Sequence, residues 1–181
     1  DPSGTTDTAS DSVAFGVNAL DSITTGDNNT AIGKSALTAN TTGSQNVAVG
    51  MEAGKSNTTG FGSTLVGYQA GYTQTAGSGN DSNNTYIGRK AGFATTTSAN
   101  NTAVGYNSLE ANTTGDRNVA VGALALDANI GADANTAIGY SALSANTTAE
   151  SNTAVGFNSM MLNTTGSNNT AIGGTALGAN T

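Results

Sequence analysis

Short apolar segments that end in glycine recur along the whole chain at a nearly constant spacing. Successive members of this glycine series keep an interval of 17, except for one interval of 21. Counting forward from each glycine, a small residue and then Leu, Gly or Met stand at +3 and +4, Asn-Thr-Thr-Gly or a variant at +7 to +10, and Asn-Thr/Val-Ala-Val/Ile at +13 to +16. A period held over so many copies predicts a repeat architecture. The column glycines are Gly16, Gly33, Gly50, Gly67, Gly88, Gly105, Gly122, Gly139, Gly156 and Gly173.

The repeat predicts strands rather than helices. Its Thr-Ala-Val segment alternates with period two and is rich in β-branched residues, which favours a short strand before each column glycine. The Asn-Thr-Thr-Gly segment supplies turn residues, and fixed Gly and Thr disfavour a helix in every copy. We predict an all-β fold, a parallel β-solenoid (β-roll) of ten 17-residue coils that forms one domain over residues 1–181, with a four-residue insertion within 72–84. A flat coil with a second, weaker strand through Ala-Leu is favoured over a triangular one, because Thr-Thr-Gly occupies the third side.

The middle strand position, +15, is alanine in most coils, with Leu65 and Tyr86 as the exceptions. A coil that encloses two or three aliphatic side chains has too thin a core to offset the entropy of ordering the whole repeat, so we expect oligomerisation. We predict that +15 lies on the outer face of the strand, where its methyl groups form an oligomer interface. The alternative is that alanine simply fills a narrow roll. The expected interface residues are Ala31, Ala48, Ala103, Ala120, Ala137, Ala154 and Ala171.

Position +13 is asparagine in most coils. Stacked copies of one amide side chain are typical of cross-β structures, where they form ladders. We therefore predict a structural ladder of Asn29, Asn46, Asn84, Asn101, Asn118, Asn135, Asn152 and Asn169.

The coils around the insertion break the pattern together. Most of the nine aromatic residues fall between positions 61 and 93, where the Arg89-Lys90 pair also stands. Aromatic and arginine side chains are favoured at binding surfaces, so this region is the candidate ligand patch. Local repacking around the inserted loop is the alternative. The candidate binding residues are Phe61, Tyr68, Tyr72, Tyr86, Arg89 and Phe93.

Composition excludes several classes of function. Five basic against twelve acidic residues, a net charge of −7, are too few cations to bind nucleic acid. No apolar run is long enough to span a bilayer, so we expect no membrane insertion. The chain has no Cys and no His, and it shows no catalytic constellation. We expect no enzyme activity, no cofactor and no metal; the acids at +11 (Asp27, Asp116 and Asp133) are interpreted as solvated turn residues.

The repeat motif resembles head repeats of trimeric autotransporter adhesins and related repeats in phage and environmental fibre proteins. Residues 11–16 and 46–50 carry the closest match, and the similarity extends from about residue 12 to the C-terminus. The resemblance implies a left-handed β-roll, a homotrimer, and an extracellular location on a cell surface or a virion fibre. It also implies a host-surface glycan or protein as receptor.

From the repeat and this resemblance we expect a non-enzymatic structural and adhesive fibre segment, a rod-like trimer that spaces or presents a receptor-binding region. Two alternatives are an ice- or surface-binding solenoid, suggested by the Thr-Thr pairs at +8 and +9, and a self-assembling filament subunit. The last residues stop inside an Asn-Thr-Thr-Gly turn without a cap, which favours a fragment of a longer array.

Overall fold

A computed structural model describes residues 11–76 and 81–179 of the chain. These residues contain ten three-residue strands, all parallel, in a single sheet whose order follows the sequence, and they contain no helix. The predicted parallel β-solenoid is confirmed. Within the insertion predicted at 72–84, residues 77–80 lie outside the described part. The strands are β1 (Val13–Phe15), β2 (Thr30–Ile32), β3 (Val47–Val49), β4 (Thr64–Val66), β5 (Thr85–Ile87), β6 (Thr102–Val104), β7 (Val119–Val121), β8 (Thr136–Ile138), β9 (Thr153–Val155) and β10 (Thr170–Ile172).

Equivalent positions of neighbouring coils lie directly beside each other. Ala103 of β6 pairs with Ala120 of β7, for example, so the register shift equals the sequence repeat. Backbone hydrogen bonds join the coils along the rod, as when Gly105 N donates to Ile87 O over 2.8 Å. Each position of the repeat therefore stacks on the same position in the next coil.

The column glycines stack in one line and none could be replaced without strain. Gly105 has φ 141°, a left-handed value that favours glycine, and Gly173 has φ 127°. A Cβ atom on Gly105 would lie 2.5 Å from the carbonyl oxygen of Gly122. The corner after each strand is thus a contact of backbone on backbone, which explains why glycine recurs there.

The second wall of the coil is built from turns, so the prediction of a second strand through Ala-Leu is wrong. In the sixth coil, Asn107 at +2 has φ 52° and Leu109 at +4 has φ 54°, which an extended strand does not tolerate. The adjacent residues Ser108 and Leu109 are both fully buried. Neighbours in a strand point to opposite faces, whereas this backbone turns two consecutive side chains into the core.

The alanines at +15 face the core, so placing them at an oligomer interface is wrong. Each is between 0% and 4% exposed in the isolated chain. Strand alternation defines two faces but does not say which one points inward. Here leucines at +4 of the opposite wall fill the interior and leave room only for a methyl group. The structure therefore agrees with the alternative interpretation, in which alanine fills a narrow roll. The corrected residues are Ala31, Ala48, Ala103, Ala120, Ala137, Ala154 and Ala171.

Coils beside the insertion exchange volume between the two walls. Tyr86 replaces alanine at +15, and Gly92 replaces leucine at +4 in the following coil. A Cβ atom on Gly92 would lie 2.4 Å from Cε2 of Tyr86. The Tyr86 hydroxyl lies 3.0 Å from Thr95 Oγ1, at a +7 position that holds asparagine in most other coils. Leu65 is matched in the same way by Gly54 and Gly71.

Candidate functional site

Two aromatic rings and two ammonium groups form a cluster on the outside of the turn wall. Tyr72 and Phe93, both at +5, stack with centroids 5.2 Å apart and an interplanar angle of 14°. Lys55 Nζ lies 5.4 Å from the centroid of Tyr72, and Lys90 Nζ lies 4.9 Å from that of Phe93. This cation–aromatic stack brings together two residues of the predicted patch and adds two lysines that sequence reasoning did not select. Lys55 shares the +5 position with the two rings, so its spacing from the column glycine was a signal that could have identified it.

A second stack runs along position +1. Arg89 lies between two tyrosines, with its guanidinium carbon 5.8 Å from the ring centroid of Tyr68 and 5.3 Å from that of Tyr106. Further along the same column, Tyr140 and Phe157 stack at 5.6 Å and 14°. We call this column, residues Val17, Lys34, Met51, Tyr68, Arg89, Tyr106, Ala123, Tyr140, Phe157 and Gly174, the +1 stripe.

Two members of the predicted ligand patch do not join these stacks. Tyr86 is fully buried and its predicted contact with a ligand is therefore wrong; its ring replaces core volume inside the roll. Burial raises the pKa of Tyr86 to about 12. Phe61 is half-buried at +11, and within the described residues no ring contact links it to the other aromatics. Tyr68, Tyr72, Arg89 and Phe93 remain as surface residues of the candidate site.

The cations of the two stacks differ in their electrostatic surroundings. Lys55 donates to Glu52 over 2.8 Å, and this hydrogen bond lowers the pKa of Glu52. Lys90 lies 3.5 Å from Glu110. Arg89 is exposed and makes no ion pair within the described parts of the chain. Arg89 is therefore the cation of this cluster that is available to an anionic group.

The outer face of the sheet carries an apolar column at +16, which the sequence analysis had placed in the core by assigning +15 to the outer face; that assignment is wrong. Position +16 is aliphatic or aromatic in every coil, and its side chains are all half-buried or exposed, Ile138 for instance to 40%. Beside them at +14 stand threonine or valine. The +16 column consists of Phe15, Ile32, Val49, Val66, Ile87, Val104, Val121, Ile138, Val155 and Ile172.

The predicted +13 asparagines stack inside the roll, where their amides bond to backbone. Asn118 Oδ1 accepts from Asn135 N over 2.9 Å, and Asn118 Nδ2 donates to Ala132 O over 2.8 Å. The pattern of backbone acceptance recurs along the column, and only Asn169, in the last coil, is more than slightly exposed. The ladder supports the strands and leaves its amides unavailable to a ligand.

A second asparagine ladder stands at +7, which sequence reasoning had interpreted only as turn residues. Asn129 Nδ2 donates to Asn112 Oδ1 over 2.8 Å, and Asn146 Nδ2 donates to Asn129 Oδ1 over 3.2 Å. Asparagine recurs at +7 with the same period as at +13, so the repeat alone could have identified this second ladder. The +11 acids are also structural: Asp133 Oδ1 accepts from Asp116 N over 2.8 Å.

Within the described residues, no three His, Cys, Asp or Glu side chains are grouped so as to hold a metal ion. The same residues include no helix that is long and apolar enough to cross a membrane. Comparison with models of protein families, with curated proteins and with solved structures found no significant match.

Proposed function

We propose that this chain is a structural and adhesive rod segment of an extracellular fibre, in which three copies associate side by side. The rod arises from the stacking of coils, and the trimer and the extracellular location follow the resemblance of the repeat to adhesin and phage-fibre repeats. The interface in this proposal is the outer face of the sheet, which takes the role first assigned to the alanines.

The observation that carries the proposal is the unbroken apolar +16 column. Exposed apolar surface that is continuous over a few hundred Å² marks interaction sites on soluble proteins. At about 4.8 Å per coil, the column is about 43 Å long. With the +14 column beside it, the face measures on the order of 500 Å². A stable interface needs about 800 Å² per partner, so this face alone supplies more than half of that area.

Sedimentation of paired variants tests this association. Val104→Lys with Ile138→Lys places two charges on the outer face, and we expect the oligomer to dissociate because unpaired charges at an interface are costly. Thr114→Lys with Thr148→Lys adds the same charge at exposed +9 positions of the coils that follow these strands and is the matched control. A wild-type chain that sediments as a monomer contradicts the proposal, and open-ended filaments favour the filament subunit instead.

The adhesive part of the proposal rests on the two cation–aromatic stacks. Aromatic faces bind sugar rings, and Arg89 offers a charge without an acidic partner among the described residues. Replacing Tyr68, Tyr72 and Arg89 together with Ala should reduce binding to glycan arrays or host cells while assembly stays intact. Unchanged attachment would leave the segment a spacer.

Ice binding is a second candidate, supported by the threonines at +14. Threonine occupies seven of the ten +14 positions, and these side chains stand in register on the outward face of one sheet. The +8 threonines suit this role less, because Thr41 and Thr113 donate their hydroxyls to backbone carbonyls. Since the same face cannot serve ice and an interface at once, thermal hysteresis from a monomeric chain would favour ice binding over the fibre.

A further inference from the structure

The +1 stripe has one gap in its series of aromatic and cationic side chains. Tyr68, Arg89 and Tyr106 stack in order, and Tyr140 and Phe157 stack in order. Between the two groups stands Ala123, which contributes only a methyl group. Since successive coils are about 4.8 Å apart, the rings of Tyr106 and Tyr140 are about 10 Å apart along the rod.

Both rings that border this gap present a free face to it. One face of Tyr106 lies against Arg89 and one face of Tyr140 lies against Phe157, so the opposite faces look towards Ala123. Tyr106 is 49% exposed and Tyr140 is 50% exposed. Within the described residues, no ring or cation stacks on either inner face. The gap is a slot one planar group thick.

We propose that this slot binds a guanidinium group, the side chain of an arginine on a partner protein. The chain itself provides the template, because Arg89 fills the equivalent space between Tyr68 and Tyr106, which are also two coils apart. Aromatic faces attract cations, and arginine adds planar stacking that an ammonium group lacks.

The charge around the slot fits the same occupant. Residues 106–140 contain four carboxylates and a single cation, Arg117. Arg117 is paired with Asp133 over 2.8 Å. The slot is therefore set in the acidic part of an acidic chain, which attracts a cation and repels an anionic ligand. The stack near Arg89 and Lys90 is the more basic part of the surface and suits ligands of opposite charge.

Titration with arginine amide, followed by NMR of the tyrosine rings, tests the slot. We expect saturable shifts of Tyr106 and Tyr140 with a dissociation constant in the millimolar range, and at least tenfold weaker binding of lysine amide. Ala123→Tyr should abolish binding by completing the stack. Gly174→Tyr is the matched control, because it extends the same stripe into open space beyond Phe157 and should leave binding unchanged.

A second variant opens a new slot instead of closing the old one. Arg89→Ala removes the internal guanidinium, so arginine amide should bind there as well and the stoichiometry should rise from one to two, with new shifts at Tyr68. Failure of arginine amide to shift Tyr106 and Tyr140, or equal binding by Ala123→Tyr, would overturn the proposal. Equally tight binding of neutral benzamide would overturn the assignment to a cation.

Discussion

At the scale of the residue, buried amides replace much of what a larger hydrophobic core supplies elsewhere. The interior of a coil consists of small and aliphatic side chains flanked by two asparagine columns that are almost wholly buried. A buried polar group that loses its hydrogen-bond partner costs about 1–3 kcal/mol. Each +13 asparagine from Asn29 to Asn152 accepts a hydrogen bond from a backbone N–H of the next coil, so its removal exposes that cost.

Asn118→Ala should lower the free energy of unfolding by about 1–3 kcal/mol, because the backbone N–H of Asn135 loses its acceptor, whereas the Ala132 carbonyl keeps its bond from Asn129 Nδ2. Thr114→Ala, at an exposed position of a neighbouring turn, should change it by less than about 0.5 kcal/mol. Urea denaturation followed by circular dichroism measures both. Equal effects of the two substitutions would mean that the ladder is not stabilising.

Tyr86 makes the fold sensitive to alkaline pH. Its folded pKa of about 12 lies above the ordinary value of 10.0, so the neutral phenol is favoured in the folded state. The stabilisation that comes from keeping this phenol neutral is complete below pH 10 and is lost as the pH rises from about 10 to about 12. The Tyr86→Phe variant cannot ionise at this position, so its free energy of unfolding should fall less over this range. At pH 7 that free energy should be lower than in the wild-type protein, because the hydrogen bond to Thr95 is lost. Parallel pH dependences of the two proteins between pH 9 and 12 would contradict this.

At the scale of the element, the coil is a matched pair of walls, and neither wall can change alone. Gly92→Leu restores the commoner side chain at +4 but drives it into Tyr86, and we expect the free energy of unfolding to fall by about 3 kcal/mol, the upper end of the usual cost of overpacking. Tyr86→Ala leaves a cavity and should cost about 3–5 kcal/mol. The double variant Tyr86→Ala with Gly92→Leu recreates the pairing of the regular coils and should cost far less than the sum.

A double-mutant cycle on these variants by chemical denaturation gives the coupling energy directly. A coupling below about 0.5 kcal/mol would mean that the two walls accommodate size independently. A larger coupling energy would explain Tyr86 and Gly92 by local repacking of the two walls, without reference to any ligand.

The sequence was sufficient to predict the strands, their period and their parallel register, because each depends on local alternation and on spacing. It did not predict which strand face points inward. Hydrophobicity favours Val104 over Ala103 as the buried residue, and only the narrow gap between the walls reverses that order. The turn wall was mistaken for a strand because left-handed backbone at ordinary residues such as Leu109 has no compositional signature. For the candidate site, the cluster of aromatic residues in the sequence indicated the surface rings Tyr68, Tyr72 and Phe93, whereas the stacking of the rings and the depth of Tyr86 required the structure.

At the scale of the whole molecule, the rod is modular in units of one coil. Deleting residues 123–139 removes one complete repeat and joins Gly122 to Tyr140 with every column in register. We expect this variant to fold into a rod about 4.8 Å shorter. It also brings Tyr140 one coil from Tyr106, which closes the slot and should abolish binding of arginine amide.

Small-angle scattering and circular dichroism measure the length and the fold of this deletion variant. Deletion of residues 123–130 alone removes half a coil, sets the asparagine columns against the strands, and should destabilise the protein severely. If both deletions were tolerated equally, the stacked columns would not be what holds the coils together.

The direction of the hydrogen bonds has a mechanical consequence. The bonds between coils run along the rod, whereas the covalent chain passes from one coil to the next only once in each repeat. A pull on the two ends therefore loads the hydrogen bonds rather than the peptide chain, and a terminal coil peels before an internal one. Each coil that detaches replaces about 4.8 Å of rod with roughly 55 Å of extended polypeptide. Under tension such a rod lengthens about tenfold in discrete steps before any covalent bond is strained, and it dissipates the work of each step as heat.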